Sequence, residues 1–395
     1  MKTAIISILF IFLVLPVFAQ NSCDCNADLE FVKAQLENTP SFKDQIKGKQ
    51  EMEFQALVES LKSEEQLSIH ECFWRLNRLI GMLRDKHISV AYQTKENINP
   101  FDGLKVEKME GQETQLSQKS FRDVEGIYSV SDKLEIGVYR TEVVDSLVGV
   151  VLKSETATWE KGEVCMILKE TDLDNQFDLM MSFDKKNMYF RRSFIFQEGS
   201  FFANLKKLRS PSVNQALVDP DATPYTLDQL DGVSYVWFNS FGSSSDNWKK
   251  RDAFLEELSE TEIGSTLIID LRNNGGGSDK ISKSIFKALK KASKGKEVYV
   301  LTNYFTASNG EIFALRAKQE MDATHVGWRT NGALAYGVNY GTTYELPSGY
   351  FSIRPTDMNN REYHGYEVVG VVPDVELDYW VDWKVQLKEL LNEPS

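Results

Sequence analysis

One serine lies at a junction where its hydroxyl could act as a nucleophile. Ser308 belongs to the segment TASNGE, residues 306–311, which follows a strand-like run at 297–303 and opens a helix-like run at 308–319. Its small neighbours leave the hydroxyl uncrowded, and the free N–H groups and partial positive charge of a helix N-terminus favour an anionic intermediate. By itself, however, this motif is better explained by an ordinary N-cap serine.

A second junction carries three consecutive glycines. The strand-like run 265–272 leads into NNGGG, residues 273–277, and a helix-like run follows at 279–292. Glycines let the backbone approach a ligand closely and direct N–H groups at a developing negative charge. The glycine spacing fits neither phosphate-binding nor dinucleotide-binding fingerprints, and the Lys-Ser/Thr of a phosphate loop is absent. The segment is therefore a candidate oxyanion site, with a flexible turn as the alternative.

The chain has four histidines, which form a short set of candidate general bases. His87 follows an amphipathic helix-like run, residues 71–85, where it could also serve as a favourable cation at a helix C-terminus. His70 is expected at the surface and His325 at a strand end, whereas His364 is a rival base. So few histidines leave little room for a His-rich metal site, and we expect neither a metal nor a cofactor.

Hydrophobic periodicity divides the chain into parts that could position these residues. Strand and helix alternate in the last part, which predicts a mixed α/β fold, and antiparallel strand patterns in the middle predict a barrel or sandwich. The predicted parts are a signal peptide, a helical segment, a β-rich insertion and a catalytic core, at residues 1–19, 20–95, 96–225 and 226–395.

The first residues have the pattern of a secretory signal peptide. Lys2 precedes an apolar run at residues 4–19, which is short of the about 20 residues of a membrane span and ends in small residues before Gln20. An uncleaved anchor is the alternative, but nothing basic follows the run. We expect export to the periplasm or beyond the cell, with no membrane span after cleavage.

Composition limits the classes of partner. The 395 residues carry 45 Lys+Arg and 58 Asp+Glu, a net charge of −13, which disfavours a nucleic acid or an anionic membrane held by a basic surface. Four cysteines are too few for a disulfide scaffold. In an oxidising compartment one disulfide from Cys23 or Cys25 to Cys72 is plausible. The alternative is that all four are reduced, with Cys72 and Cys165 buried.

Four motifs occur in the order and spacing of one known family. They are LIIDLRNNGGG, TASNGEIFA, GWRTNG and YEVVGVVPD, at residues 267–277, 306–314, 327–332 and 366–374. Together they resemble the tail-specific, or C-terminal processing, serine proteases, over roughly residues 230–378. The resemblance implies a crotonase/ClpP-like ββα spiral core and a peptide or protein substrate.

The resemblance also implies roles for particular residues. It makes Ser308 the nucleophile and assigns the oxyanion hole to the N–H groups of Gly276 and Asn309. Three further residues would contact substrate, namely Gly275, Gly277 and Thr330.

The general base departs from the bacterial Ser-Lys pattern. The residue after the G-x-T-x-G segment is Ala333, where those enzymes have Lys. The tricorn-core type instead uses a His from a D-x-H pattern, which His87 matches within Asp85-Lys86-His87, and a late Glu, which Glu367 matches. The resemblance thus implies a Ser308, His87 and Glu367 constellation, in which the carboxylate orients the imidazole or an intervening water.

A further departure keeps a second function open. No carboxylate-binding loop of a PDZ module is found between residues 95 and 230. Together with the missing Lys, this leaves two hypotheses: an exported serine peptidase, and a catalytically inactive peptide- or lipophile-binding protein with the same fold.

Overall fold

The computed structural model of the protein describes most of the chain. The described residues are 22–93, 101, 104, 112–131, 133–141, 146–182, 184–185, 187–202, 205–210, 223–230 and 232–392. The predicted signal peptide lies outside them. None of the helices in the described ranges is both long enough and apolar enough to cross a membrane.

The N-terminal segment is a small helical layer. Its elements are β1 Ser22–Cys23, α1 Cys25–Glu37, α2 Pro40–Gln45, α3 Lys49–Leu61, β2 Leu67–Ser68, α4 Ile69–Gly81 and β3 Ser89–Tyr92. Helix α4 begins with a capping box in which Ser68 and Glu71 bond each other's backbone N–H. Its apolar residues, spaced at three and four, are buried against α1 and α3, with Phe73 and Leu76 fully inaccessible.

The structure also shows the state of the cysteines and the position of His70. A disulfide joins Cys25 of α1 to Cys72 of α4, while Cys23 and Cys165 are free and buried. The expectation that His70 is at the surface is wrong. Its side chain is 7% exposed, because the start of α4 turns the ring toward Phe101.

The β-rich insertion is one antiparallel sheet. After α5 Gln112–Gln118, its strands are β4 Gly126–Ser131, β5 Leu134–Thr141, β6 Ser146–Ser154, β7 Val164–Glu170, β8 Gln176–Met181, β9 Tyr189–Ile195, β10 Ser200–Phe202 and β11 Leu205–Lys207. The order is β10-β11-β4-β5-β6-β7-β8-β9. Since a short turn with a Gln197–Ser200 bridge joins the two edge strands, the sheet curls toward a barrel rather than forming a sandwich.

The core is a six-stranded sheet with crossover helices. In chain order it contains β12 Leu227–Leu230, β13 Val233–Trp237, α6 Ser245–Glu260, β14 Thr266–Asp270, α7 Asp279–Ala292, β15 Glu297–Thr302, α8 Asn309–Met321 and β16 Thr324–Gly327. Strands β13, β14, β15 and β16 are parallel neighbours. Every residue of β14 is buried, as expected for a parallel strand covered on both faces.

Short elements complete the chain and join its parts. They are β17 Tyr336–Gly337, β18 Tyr344–Glu345, β19 Phe351–Arg354, β20 Met358–Asn359, a 3₁₀ helix Arg361–Tyr366, β21 Val375–Glu376 and α9 Trp383–Asn392. Strand β19 pairs with β3, with Arg354 opposite Ser89, so the N-terminal layer is attached to the core next to His87. The predicted mixed α/β class is confirmed.

Candidate active site

Ser308 does not have the geometry of an ordinary N-cap serine. Its backbone angles are φ 53° and ψ −123°, a strained combination for a residue with a side chain. The N-cap serines of α4 and α6, Ser68 and Ser244, have φ −62° and −64° with ψ 157° and 152°. Their hydroxyls accept from Glu71 N and Asn247 N. The Ser308 geometry is instead that of a sharp strand-to-helix turn, the kind of turn that presents a nucleophilic hydroxyl.

The strained turn is held by a buried carboxylate. Glu311 Oε2 accepts from Ser308 N at 2.9 Å and Ala333 N at 2.9 Å, and its Oε1 accepts from Gly332 N at 2.6 Å and Thr330 Oγ1 at 2.5 Å. Burial raises the pKa of Glu311, and these four hydrogen bonds oppose that shift. Sequence reasoning missed this role, although Glu311 is the acidic position of the T-A-S-x-x-E motif.

The glycine loop lies directly against the serine. A Cβ on Gly276 would be 2.7 Å from Asn309 N and 2.7 Å from the Ser308 Cβ, so only glycine fits there. The Asn309 N–H has no acceptor among the described residues and is available to an oxyanion. The Gly276 N–H, predicted as the second donor, instead donates to Asn274 Oδ1 at 2.9 Å.

The three residues predicted to contact substrate differ in accessibility. Gly275 and Gly277 are exposed on the loop, and nothing lies within 4 Å of a Cβ built on Gly275. Thr330 is only 1% exposed. Its hydroxyl donates to Glu311 and accepts from Val371 N at 2.7 Å. The structure therefore makes Thr330 a link between backbone segments rather than a residue that reaches substrate.

The turn that carries His87 is built by Asp85. Its Oδ1 accepts from His87 N at 3.1 Å and Ile88 N at 3.3 Å, and its Oδ2 accepts from Thr356 Oγ1 at 2.6 Å. Asp85 is fully buried. The Asp of the D-x-H pattern thus fixes the backbone of the turn.

Lys86 attaches this turn to the nucleophile loop. Its Nζ donates to Asn331 O at 2.7 Å and to the Tyr304 hydroxyl at 3.1 Å. Asn331 N in turn donates to Thr306 O at 2.9 Å, two residues before Ser308. The structure therefore brings the D-x-H turn and the nucleophile loop together across more than 200 residues of sequence.

The His87 ring itself is buried and incompletely bonded. Its Nδ1 has no hydrogen-bond partner in the described structure. Burial lowers the pKa of His87, Arg354 lowers it further, and Asp85 opposes the shift. No hydrogen bond joins His87 to Ser308 Oγ in the described residues. Their two loops are linked through Lys86 and Asn331.

Glu367 is bonded to the turn that carries His87. Its Oε1 accepts from Lys86 N at 2.9 Å, and its Oε2 accepts from Leu334 N at 3.0 Å and Ala335 N at 2.8 Å. Burial raises the pKa of Glu367 to about 7. Backbone N–H groups are bonded to both oxygens, and no hydrogen bond joins Glu367 to the His87 ring in the described structure. That the carboxylate orients the imidazole or an intervening water stays a prediction.

The rival histidines are engaged elsewhere. His325 bonds Thr302 Oγ1 through Nε2 at 2.6 Å and Val372 O through Nδ1 at 3.2 Å, and burial lowers its pKa to about 4. His364 Nε2 is 2.9 Å from Asn359 Oδ1. His87 stays the candidate base because of the D-x-H pattern and because its turn is bonded to the nucleophile loop through Lys86.

The β-rich insertion also holds the His87 turn. Arg192 of β9 donates to four carbonyls, that of Ile80 in the last turn of α4 and those of Leu83, Asp85 and Ile88 beyond its end. Such a cation neutralises the partial negative charge of a helix C-terminus. The sequence gives no signal for this role, because the contacts cross more than 100 residues. No group of three His, Cys, Asp or Glu able to hold a metal ion occurs in the described ranges.

Part of the chain is similar to a known protein family. Residues 280–377, which include Ser308, Glu311 and Glu367, match Peptidase family S41. The match covers 98 of the 395 residues, so the similarity to this family concerns that part of the chain. A comparison with curated protein sequences finds no match.

Comparison with solved structures finds proteases that match at low identity and with TM-scores below 0.5. The "Photosystem II D1 C-terminal processing protease" is 14% identical over 90% of this chain and 93% of its own, with a TM-score of 0.36. Mature CPAF is 13% identical over 89% and 92%, with a TM-score of 0.44. The tricorn protease is 13% identical over 93% of this chain and 37% of its own, with a TM-score of 0.40.

Proposed function

We propose that the protein hydrolyses peptide bonds through an acyl-enzyme formed on Ser308, with His87 as the general base. The observation that carries the proposal is the Ser308 backbone, which is strained where Ser68 and Ser244 are relaxed. A strained turn persists only when its surroundings fix it, and the buried Glu311 supplies that constraint.

The chemical steps follow from the groups around Ser308. Its Oγ attacks the substrate carbonyl carbon while His87 takes the hydroxyl proton, and the carbonyl oxygen becomes an oxyanion near the Asn309 N–H. Collapse breaks the C–N bond, and His87 returns the proton to the leaving amine. Water then attacks the ester with His87 again as base, which releases the acid and restores the hydroxyl.

Two adjustments on substrate binding are part of the proposal. The imidazole must come within about 3 Å of Ser308 Oγ, a contact that often tightens only in the substrate complex. The Gly276 N–H must turn from Asn274 Oδ1, or be shared with it, to serve as the second oxyanion donor. The φ of +88° at Gly276 is in a region where glycine moves freely.

An inactive binding protein is the second candidate. It is favoured by one observation, which is that the Ser308 hydroxyl is not bonded to an imidazole. Peptide hydrolysis and labelling by a fluorophosphonate probe separate the two functions, because only an activated serine reacts with that probe.

The variants are chosen as matched pairs. Ser308→Ala should abolish hydrolysis and labelling, whereas Ser244→Ala removes an ordinary N-cap hydroxyl and should leave both unchanged. His87→Gln should reduce both by at least about 10²-fold, and His364→Gln tests the rival base. Labelling that persists in Ser308→Ala, or activity that follows His364 instead of His87, would overturn the mechanism.

We also propose that the peptidase is exported and works in the periplasm or outside the cell. The apolar run at residues 4–19 and the Cys25–Cys72 disulfide support this, since disulfides persist in oxidising compartments. Fractionation of cells that produce the full chain, with N-terminal sequencing of the product, tests it. A cytosolic product that retains Met1 would refute it.

A further inference from the structure

An open cavity lies beside the nucleophile loop, where the β-rich insertion meets the core. Its volume is about 310 Å³. It opens beyond the carboxyl ends of β15 and β16, where ligands of open α/β sheets bind. The walls are largely aromatic, with Phe201 from the insertion and Tyr304, Phe305, Trp328 and Tyr379 from the core.

One cation lines this cavity. Arg329 is half-buried, and no ion pair to it occurs in the described part of the chain. The buried Gln176 of β8 orients it. With the amide turned so that its nitrogen donates to Ser193 O at 3.1 Å, its oxygen accepts from Arg329 Nη2 at 3.2 Å. This contact leaves most of the five guanidinium N–H donors for a ligand.

The cavity also contains one carboxylate, which does not neutralise the arginine. Glu376 is exposed and bonds Gln197 Nε2 at 3.2 Å, and it makes no ion pair with Arg329. A half-buried guanidinium among aromatic rings is suited to a carboxylate attached to an apolar group, because it offers two parallel N–H donors.

The cavity is connected to the scissile site through the chain itself. Tyr304 and Phe305 directly precede Thr306, and Arg329 directly precedes Thr330. Thr330 bonds Glu311, and Asn331 bonds Thr306. The two loops that line the cavity are therefore the ones bonded to the nucleophile turn.

We propose that this cavity is a substrate subsite that binds a carboxylate of the peptide through Arg329. The inference rests on the proposed peptidase function. The carboxylate belongs either to an acidic side chain or to the free C-terminus, and both present the same chemistry to the guanidinium.

The test uses sets of otherwise identical fluorogenic peptides. One set exchanges Glu for Gln at each position in turn, and the other exchanges a free C-terminus for an amide. We expect the wild type to prefer one carboxylate-bearing peptide by about 10- to 100-fold in kcat/KM, the value of a charge-assisted hydrogen-bond pair. A preference in the Glu/Gln set shows that the carboxylate is that of an acidic side chain, and a preference in the acid/amide set shows that it is the free C-terminus.

Arg329→Gln should abolish that preference and leave kcat/KM for the neutral peptide unchanged. Arg361→Gln, at an exposed arginine of the 3₁₀ helix, is the matched control and should retain the preference. Equal loss on charged and neutral peptides, or no carboxylate preference in the wild type, would overturn the inference.

The subsite can be tested even if the peptidase proposal fails. Binding of fluorescent peptides to Ser308→Ala, measured by anisotropy, needs no catalysis. Weaker binding in Ser308→Ala/Arg329→Gln for the carboxylate peptide alone supports the subsite. Equal binding of the acid and its neutral counterpart refutes it.

Discussion

The buried carboxylate of Glu311 allows a quantitative test of how the nucleophile turn is maintained. Glu311→Gln preserves the size of the side chain but replaces one acceptor oxygen by an NH₂ donor. At the Oε2 position that NH₂ would face two backbone donors, Ser308 N and Ala333 N. At the Oε1 position it would face Gly332 N and the Thr330 hydroxyl, and only the hydroxyl can rotate. The second orientation is therefore the less costly one.

The cost can be worked out bond by bond. In that orientation the buried Gly332 N–H loses its acceptor, which costs about 1–3 kcal/mol. The three other bonds become neutral and weaken by about 1 kcal/mol each. Burial disfavours the charged carboxylate, which is why the pKa of Glu311 is raised. Removing that charge offsets part of the loss in stability. We expect the free energy of unfolding to fall by roughly 2–4 kcal/mol.

Activity should fall as well in the folded variant. A weaker bond to Ser308 N lets the serine relax toward N-cap geometry, so kcat should drop roughly tenfold or more, as a loss of about 1.4 kcal/mol of transition-state stabilisation implies. Urea unfolding measures the first effect and burst-phase acylation the second. Glu320→Gln is the matched control, since Glu320 is in the same helix but pairs with Arg316 and Lys290 at the surface. Indistinguishable results for the two variants would refute the reasoning.

Three further predictions concern pH and the disulfide. Burial, reinforced by Arg354, lowers the pKa of His87, and the imidazole is a base only when deprotonated. The acidic limb of kcat/KM should therefore have its midpoint below pH 6.5, and a limb above pH 7 in a wild-type profile would contradict this. Burial raises the pKa of Glu367 from 4.5 to about 7, so its stabilising contribution is present below pH 4.5 and is lost as the pH rises through 7. Relative to Glu367→Gln, the wild type should lose roughly 3 kcal/mol between about pH 4 and about pH 8, and a parallel pH dependence of the two would argue against it. The disulfide closes a loop with a sequence separation of 47 residues, so a Cys25→Ser/Cys72→Ser variant should unfold with about 4 kcal/mol less free energy. No change in its urea midpoint would contradict that expectation.

Local patterns were sufficient for most of the fold. The alternation of strand and helix predicted β14, α7, β15 and α8, because burial of one face imposes a period on the sequence that neighbouring residues reveal. For the β-rich insertion the same patterns predicted antiparallel strands but did not decide between a barrel and a sandwich. They also left the Cys72 partner open, since spacing alone does not distinguish Cys23 from Cys25.

The candidate site, like the fold, could be predicted from the sequence only in part. The motifs singled out Ser308, the glycine loop, His87 and Glu367. They did not show that Glu367 accepts from backbone N–H groups or that Thr330 is bonded to Glu311 and Val371. Both depend on where a side chain points once distant segments meet, and the polar groups of this site have partners up to 283 residues away.

The sequence by itself determined the α/β class, the order of the elements and the serine at the start of α8. It could do so because helix propensity, strand burial and turn chemistry act between near neighbours. Only the tertiary structure decided that Glu311 constrains Ser308, that Lys86 and Arg192 hold the His87 turn, and that Arg329 faces a cavity. Those contacts exist because packing brings remote backbone and side-chain groups to hydrogen-bond distance, which no local pattern encodes.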